Sequence, residues 1–289
     1  STPKPSSAAS DVYKRQLQHI VHRLRQELLN QRYLHIDETH VQVLKEPGRK
    51  NTSDSYMWVY CSMKGAENPI RYFEYQPGRG GKYPEAFLKG YEGYIHTDAY
   101  SGYNGLTGVK RCLCYTHLRR AFVDALPKDV HTPEASKPAE AILWLNKLFN
   151  IEAELEDLSP EQKKKERLIR EKPLLEAFWA WTEKSAASEL PKSKLSKAFY
   201  YALNNRQEFF NYLEDGHCSI SNSLAENCIR PFVIGRKNWL FAGSPKGAAA
   251  SAGIYTLVET AKANGLAPMK YLNCLLYTSP SPRDRSVSR

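Results

Sequence analysis

The sequence predicts an α/β fold, a mixed sheet with flanking helices and an all-helical insertion. Three observations predict it. Three consecutive segments alternate apolar and polar residues across short polar links, as in an antiparallel meander. Two further strand-like segments follow, each beside a helical stretch. A long charged block then carries apolar residues at helical spacing only.

Leu17 to Gln31 opens the ordered part, with Leu17, Ile20, Val21, Leu24 and Leu28 on one helical face. The period then drops to two in Tyr33–Leu44 (YLHIDETHVQVL), and Tyr56–Met63 and Ile70–Tyr75 repeat the pattern as second and third strands. Lys82–Leu88 reads as a short helix and Gly93–Ala99 (GYIHTDA) as a fourth strand. Val109–Cys114 is the fifth strand, and His117–Leu126 opens as a helix. From Ala139 to about Glu214 the chain is helical and highly charged, with Trp144, Leu148, Ile151, Leu155 and Leu158, then Leu174, Phe178 and Trp181, recurring at helical spacing. The Lys163–Arg167 run reads as a solvated helix face. Ser221, Asn222 and Ser223 are N-cap candidates for a short helix bearing Glu226. A basic, Gly-containing segment follows, Arg230–Lys246. The final helix, Ala248–Asn264, stops at Gly265 with Pro268 beyond.

Both ends are polar and aperiodic, so residues 1–16 and 273–289 are expected to be non-native or disordered. Between them the organisation is an N-terminal helix at 17–32, a core in two parts (33–138 and 216–272), and the helical insertion at 139–215.

At 42% hydrophobic and 25% charged, the 289 residues suffice for a sizeable core and exclude wholesale disorder. No run approaches the roughly 18 apolar residues of a membrane span, and no signal-peptide pattern opens the chain. A cytosolic protein is expected. A net charge of +10 and a pI near 9.2 suit a polyanionic partner, because each neutralised phosphate releases a counterion. None of the six cysteines forms a CxxC pair, so reduced structural thiols are expected, with Cys112 and Cys114 on one side of the fifth strand.

Asp37 interrupts an apolar strand, where an unpaired carboxylate is expensive. Asp98 ends the fourth strand in a similar setting. Singly, each reads first as a turn or strand-end residue bonded to backbone amides. Glu226 changes that reading. One carboxylate mid-strand, one at a later strand end and one on a following helix can hold two divalent metals, which clamp the attacking and leaving oxygens of a phosphodiester. Oxygen ligands suit Mg2+ or Mn2+.

The chain resembles transposases of the insertion sequence 66 family. Four stretches carry the resemblance: LHIDETHVQVLKEPGRK (Leu34–Lys50), SYMWVY (Ser55–Tyr60), GYIHTDAYSGYN (Gly93–Asn104) and AENCIRPFVIGRKNWLFAGSPKGA (Ala225–Ala248). The resemblance implies an RNase H-like catalytic domain whose DDE triad is Asp37, Asp98 and Glu226, with two Mg2+ or Mn2+ ions. It implies donor cleavage followed by strand transfer, DNA (element ends and target) as partner, a homodimer on DNA, and a bacterial, nucleoid-associated location. No membrane and no small-molecule cofactor are expected. Relatives also carry N-terminal zinc-finger and helix-turn-helix regions, which this sequence is expected to lack.

Around the triad, Arg230, Arg236, Lys237, Asn238 and Lys246 are candidate DNA contacts, and Trp239 is a candidate for stacking on a frayed base as well as for core packing. His117, Arg119 and Arg120 in CYTHLRRAF, and the loop cations Lys45, Arg49 and Lys50, are further candidates. Three other readings stay open: a non-catalytic DNA-binding remnant, an RNase H-type nuclease without strand transfer, and a zinc-dependent hydrolase. The last would use the His35/Asp37 and His96/Asp98 pairs, since residues i and i+2 share a strand face.

Overall fold

The computed structural model describes residues 17–127 and 136–278. The expected N-terminal stretch, 1–16, and residues 279–289 lie outside them. In chain order the elements begin α1 (Gln18–Leu29), β1 (Tyr33–Val43), β2 (Asp54–Ser62), β3 (Arg71–Gln76), α2 (Lys82–Phe87), β4 (Gly93–Thr97), β5 (Val109–Leu113) and α3 (Tyr115–Val123). The helical block follows as α4 (Lys137–Glu154), α5 (Pro160–Glu166), α6 (Lys172–Ala187), α7 (Lys194–Asn204) and α8 (Arg206–Phe210). The chain closes with α9 (Ser223–Trp239), β6 (Phe241–Ala242), α10 (Pro245–Ala263) and α11 (Pro268–Thr278). The fold is mixed α/β, and the elements group into two compact units. One takes the chain up to Gly93, Tyr100–Val109 and the chain from Ser223; the other takes Tyr94–Ala99 and Lys110–Asn222.

In the first unit β1 pairs antiparallel with β2, and β2 with β3, while β6 adds to β1 in parallel at Gln42 and Val43. The register puts Asp37 opposite Val59 and His35 opposite Cys61. Val41, Val43, Met57, Val59, Cys61 and Phe73 thereby share one face, which packs against Ala225, Ile229 and Phe232 of α9 and Ala248 and Ala252 of α10. Trp58 and Tyr60 point to the other face, where Tyr60 stacks on Phe87 at 3.6 Å and Trp58 meets the edge of Tyr103. α1 docks as its periodicity predicts, with Leu17 and Val21 against Leu257 of α10.

An exposed edge on β3 would leave amides without partners, a liability in any sheet. Two threonines of α10 meet this need. Thr256 Oγ1 accepts from Phe73 N at 2.8 Å, and Thr260 Oγ1 accepts from Arg71 N at 3.0 Å.

The second unit places β4 beside β5 and gathers an aromatic core from α3 and the helical block: Tyr115, Phe122, Phe178, Trp179, Phe199, Phe209 and Tyr212 are all buried. A π turn, Arg167–Glu171, leads into α6 and turns two charged residues inward. Arg167 is 1% exposed; it pairs with Glu152 and donates to Cys218 O at 2.8 Å. Tyr212 donates to Glu171 Oε2 at 2.6 Å. Burial, reinforced by the charge of Glu152, pushes the Glu171 carboxyl up to about 8. Arg167 therefore does not belong to the solvated run in which the sequence places it, whereas Lys164 and Lys165 do.

Other differences from expectation are local. On α6 the buried stripe is Leu175, Phe178, Trp179 and Thr182, displacing Leu174 and Trp181, since the preceding π turn adds a residue and rotates the face. The chain past Gly265 is not a tail as far as Thr278. The preceding helix does end before Gly265 with Pro268 beyond, and Pro268 then starts α11, whose Tyr271, Leu272 and Leu275 pack with Leu257. Among the described residues, no helix is long and apolar enough to cross a membrane.

Two outcomes are expected. Thr256→Val keeps the shape but strands the Phe73 amide, costing about 1–3 kcal/mol by urea denaturation; a loss under about 0.5 kcal/mol would show that the edge needs no such partner. Glu171, with its folded pKa raised, holds its proton in the folded chain after the unfolded chain has lost it. Its contribution therefore favours folding at low pH and declines as pH rises from the ordinary carboxylate range to about 8. Glu171→Gln should remove that decline from a stability–pH profile, and an unchanged slope would refute the assignment.

Candidate functional site

The first unit carries two of the three carboxylates, Asp37 on β1 and Glu226 on the helix that packs against that strand. Asp37 is half-buried mid-strand, and its Oδ1 accepts from Glu38 N at 2.9 Å. Being opposite Val59, it points to the side on which α9 packs. Glu226 sits in the first turn of α9, where the helix dipole favours a negative charge.

Two contacts fix how α9 lies. The Cys228 and Cys61 thiols are hydrogen-bonded, and burial, this bond and the nearby Asp37 charge push the Cys61 thiol well up. Farther along, Arg236 donates to Thr39 Oγ1 at 3.0 Å and to His40 O. Eight helical residues span about 12 Å, and the four β1 residues from His35, opposite Cys61, to Thr39 span about 13 Å. The helix thus runs along β1, with Glu226 just before the first contact and Asp37 between the two.

On the opposite face, Glu38 is held by Arg79 (Nε 2.7 Å, Nη2 2.6 Å) and by the Tyr103 hydroxyl at 2.5 Å, with Arg79 lying 3.8 Å over the Tyr100 ring. Sequence reasoning passed over Glu38. Its alternation with Asp37 was the available signal.

Asp98, in the second unit, directly follows β4, which ends one residue short of it. Its main chain is gripped: Arg111 Nη2 donates to Asp98 O at 2.6 Å, Arg111 Nε to Thr97 Oγ1 at 2.9 Å, and Thr97 Oγ1 to Asp98 O at 2.7 Å.

The candidate basic residues divide into held and exposed. α9 runs unbroken through Pro231 and Gly235, so Arg230–Trp239 is helix rather than an irregular basic segment. Its exposed stripe is Asn227, Arg230, Ile234, Lys237 and Asn238. Arg236 is committed to β1. Trp239 packs edge-on against Phe232 at 5.3 Å, whereas the next two residues, Leu240 and Phe241, are exposed. Lys246 is exposed beyond Ser244, whose Oγ caps α10 by accepting from Gly247 N. In the β1–β2 loop Arg49 bonds Glu46, Ser55 Oγ and Asp54 O, leaving Lys45 and Lys50 exposed. In the second unit Arg119 Nε donates to Asn146 at 2.8 Å, and Arg120 is exposed.

The cysteines are not bystanders. Cys112 and Cys114 part company: Cys112 joins His96 and Cys218 in a buried trio whose ligand-type atoms lie within 4.8 Å of one another. Cys114, at the N-cap of α3, is drawn below the ordinary thiol range. Burial alone would raise it, but hydrogen bonds with His117 and Asn222 N outweigh that. The Cys-x-x-His spacing across the first helical turn was the legible sign. His96 Nε2 accepts from Ser219 N at 2.9 Å, so this histidine is already employed away from a His-x-Asp ligand pair.

Comparison with known proteins points one way. The profile described as "Transposase IS66 family" matches residues 7–250. The uncharacterized protein y4qI of Sinorhizobium fredii is 30% identical over 252 residues, covering 82% of this chain and 46% of the relative. Protein y4hP of the same organism is 27% identical over 258 residues, covering 83% and 46%. The chain thus spans about half the length of the curated relatives it matches. No solved structure matches it.

Arg111→Met should cost about 1.5–3 kcal/mol in urea denaturation, since the lost donor is charged and two acceptors at Thr97 and Asp98 lose it. Arg111→Lys should recover little, as an ammonium cannot span both; recovery to wild type would refute the two-pronged grip.

Proposed function

This chain belongs to the transposase IS66 family, and from that premise we propose that it is the catalytic domain of a DNA transposase, cutting and joining DNA with Asp37, Asp98 and Glu226. On this reading the core is RNase H-like, formed by residues 33–138 and 216–272 and interrupted by the helical insertion at 139–215. The observation that supports the reading is the packing of α9, which bears Glu226 in its first turn, against the β1 face that bears Asp37, with an exposed basic stripe on the same helix.

The donor set fits a hard divalent cation, since carboxylate oxygens on half-buried residues are the ligands such ions prefer. Asp37, Asp98 and Glu226 would hold two Mg2+ or Mn2+ ions, which would neutralise charge on the attacking and leaving oxygens. The chain's own residues position the DNA. Arg230 and Lys237 meet backbone phosphates from the exposed side of α9, Lys246, Lys45 and Lys50 add cations in the same unit, and Arg120 is a further contact in the second unit. Arg236, Arg49 and Arg119 act through the elements they brace. In donor cleavage, water attacks the phosphodiester at the element's end and a 3′-hydroxyl leaves. In strand transfer that hydroxyl attacks a target phosphodiester, its proton is lost, and the target's 3′-oxygen departs. No covalent protein intermediate is needed. Two ends must be handled together, so a homodimer on DNA, in the bacterial cytoplasm with the nucleoid, completes the proposal.

Supercoiled plasmid should be nicked by the chain with Mg2+ or Mn2+ and not with EDTA, and Asp98→Ala, shown to be folded by circular dichroism, should lose the nicking at least a hundredfold. Absence of nicking by both, with salt-sensitive DNA binding retained, would replace the catalytic reading with a binding one. Zinc-specific activity that survives Glu226→Gln would favour the hydrolase instead.

A further inference from the structure

Where α9 gives way to β6, the chain makes two choices that work against stability. Leu240 is the residue that ends the helix, its N–H bonded to Arg236 O at 2.8 Å, and it adopts φ +62°. Glycine or asparagine takes that left-handed position cheaply, whereas a bulky apolar residue there is an outlier. The side chain gains nothing in return from burial, being 63% exposed, and Phe241 beside it is 44% exposed. A polar residue would serve solvent better, and glycine would serve the backbone better. Strain of this kind at an exposed site points to function rather than folding.

The tip is rigid. β6 pairs Phe241 with Gln42, Leu44 N donates to Ala242 O at 2.9 Å, and Arg236 ties the last turn to β1. Trp239 anchors the base of the tip on Phe232, and Gly235 permits it: a Cβ there would meet Tyr255 Oη at 2.7 Å and Trp239 Nε1 at 3.0 Å. Leu240 also borders an open depression of about 460 Å³ shared with His40, Gln42, Asp54 and Lys237. Lys237 and Lys246 are exposed on either side of the tip in sequence, Arg230 is exposed farther back on α9, and the chain carries +10 overall. That charge disfavours a second copy of this surface and favours a polyanion.

We propose that Leu240 and Phe241 form an apolar wedge that enters the base stack of bound duplex DNA, prising open one step while the surrounding cations hold the phosphates. The proposal rests on the DNA-transposase reading and adds to it how the duplex is deformed. Leucine and phenylalanine are among the side chains that proteins insert between base steps, and pyrimidine–purine steps open most easily. An opened step gives a carboxylate site access to a phosphodiester that a stacked duplex presents less freely.

The test uses the whole chain and short duplexes carrying 2-aminopurine beside a TpA step, whose fluorescence rises on unstacking. The wild-type chain should raise the signal. Leu240→Gly and Phe241→Ser should lose the rise at least threefold while keeping the salt slope of binding, because neither residue is charged. A Lys237→Gln, Lys246→Gln pair should do the reverse, lowering the slope by about two phosphate contacts and leaving the signal of the saturated complex. Leu240→Gly should also melt a few degrees higher, since glycine relieves the left-handed backbone. An unchanged signal in both apolar variants, or no signal from a wild-type chain that is bound, overturns the wedge and leaves the DNA reading standing. Absence of salt-sensitive binding overturns both.

Discussion

The face of β1 that carries Asp37 also supplies the buried valines Val41 and Val43, and α9 covers it with Ala225, Ile229 and Phe232. The candidate site depends on this contact, because α9 is a poor helix by its own sequence. Pro231 removes a donor in mid-helix, a loss of roughly 3 kcal/mol, and Gly235 adds close to 1 kcal/mol. The carbonyl that loses its partner belongs to Asn227, an exposed residue that water can reach. Three side chains are buried against the sheet, and the larger two, each worth about 1.5–3 kcal/mol, are of the size needed to offset that deficit. Tertiary packing makes the helix, and the helix places Glu226.

A strand that carries acidic residues at consecutive positions must satisfy both faces. β1 does so asymmetrically. Glu38 is closed off by Arg79 and Tyr103, with its charge compensated and its oxygens filled. Asp37 accepts from the Glu38 amide and lies on the other face, the one α9 covers. The pleat alone therefore sends the two carboxylates to opposite faces of the sheet. Asp98 shows the complementary solution. Its main-chain carbonyl is held by Arg111, so the backbone at the end of β4 is fixed through a side chain from β5.

Much of the fold was legible because its strands are half-buried: alternation marks β1, β2 and β3 within two residues at either end. β6 was not legible. Two residues carry no periodicity, and Phe241 and Ala242 are extended only because Gln42 and Val43 offer them a partner. The continuity of α9 was hidden by Pro231 and Gly235, whose local preference points to a break. In the helical block, spacing identified helices but missed the phase of α6, since a π turn inserts a residue without leaving a compositional mark. Asp37 and Asp98 stood out in the sequence by their cost in apolar strands, and Glu226 through its capped helix and the family resemblance. Which arginines are committed was not, because Arg49, Arg119 and Arg236 are engaged by partners near and far in sequence, which composition does not reveal.

Local rules fail in this chain mostly where two requirements compete. At Glu171 a buried carboxyl is tolerated because Tyr212 donates to it and Arg167 lies close, so a polar knot within an aromatic core is nearly satisfied. At Leu240 no compensation of that kind exists. The backbone is strained, the side chain is wet, and both neighbours are well ordered, Trp239 by the core and Phe241 by β6. A flexible loop would relax such a residue into an ordinary conformation. Here the flanking elements over-determine it, as strained functional residues require. The rigidity that prevents relaxation is also what a wedge needs. Unstacking a base step demands work from the protein, and only a tip that cannot yield can transmit it.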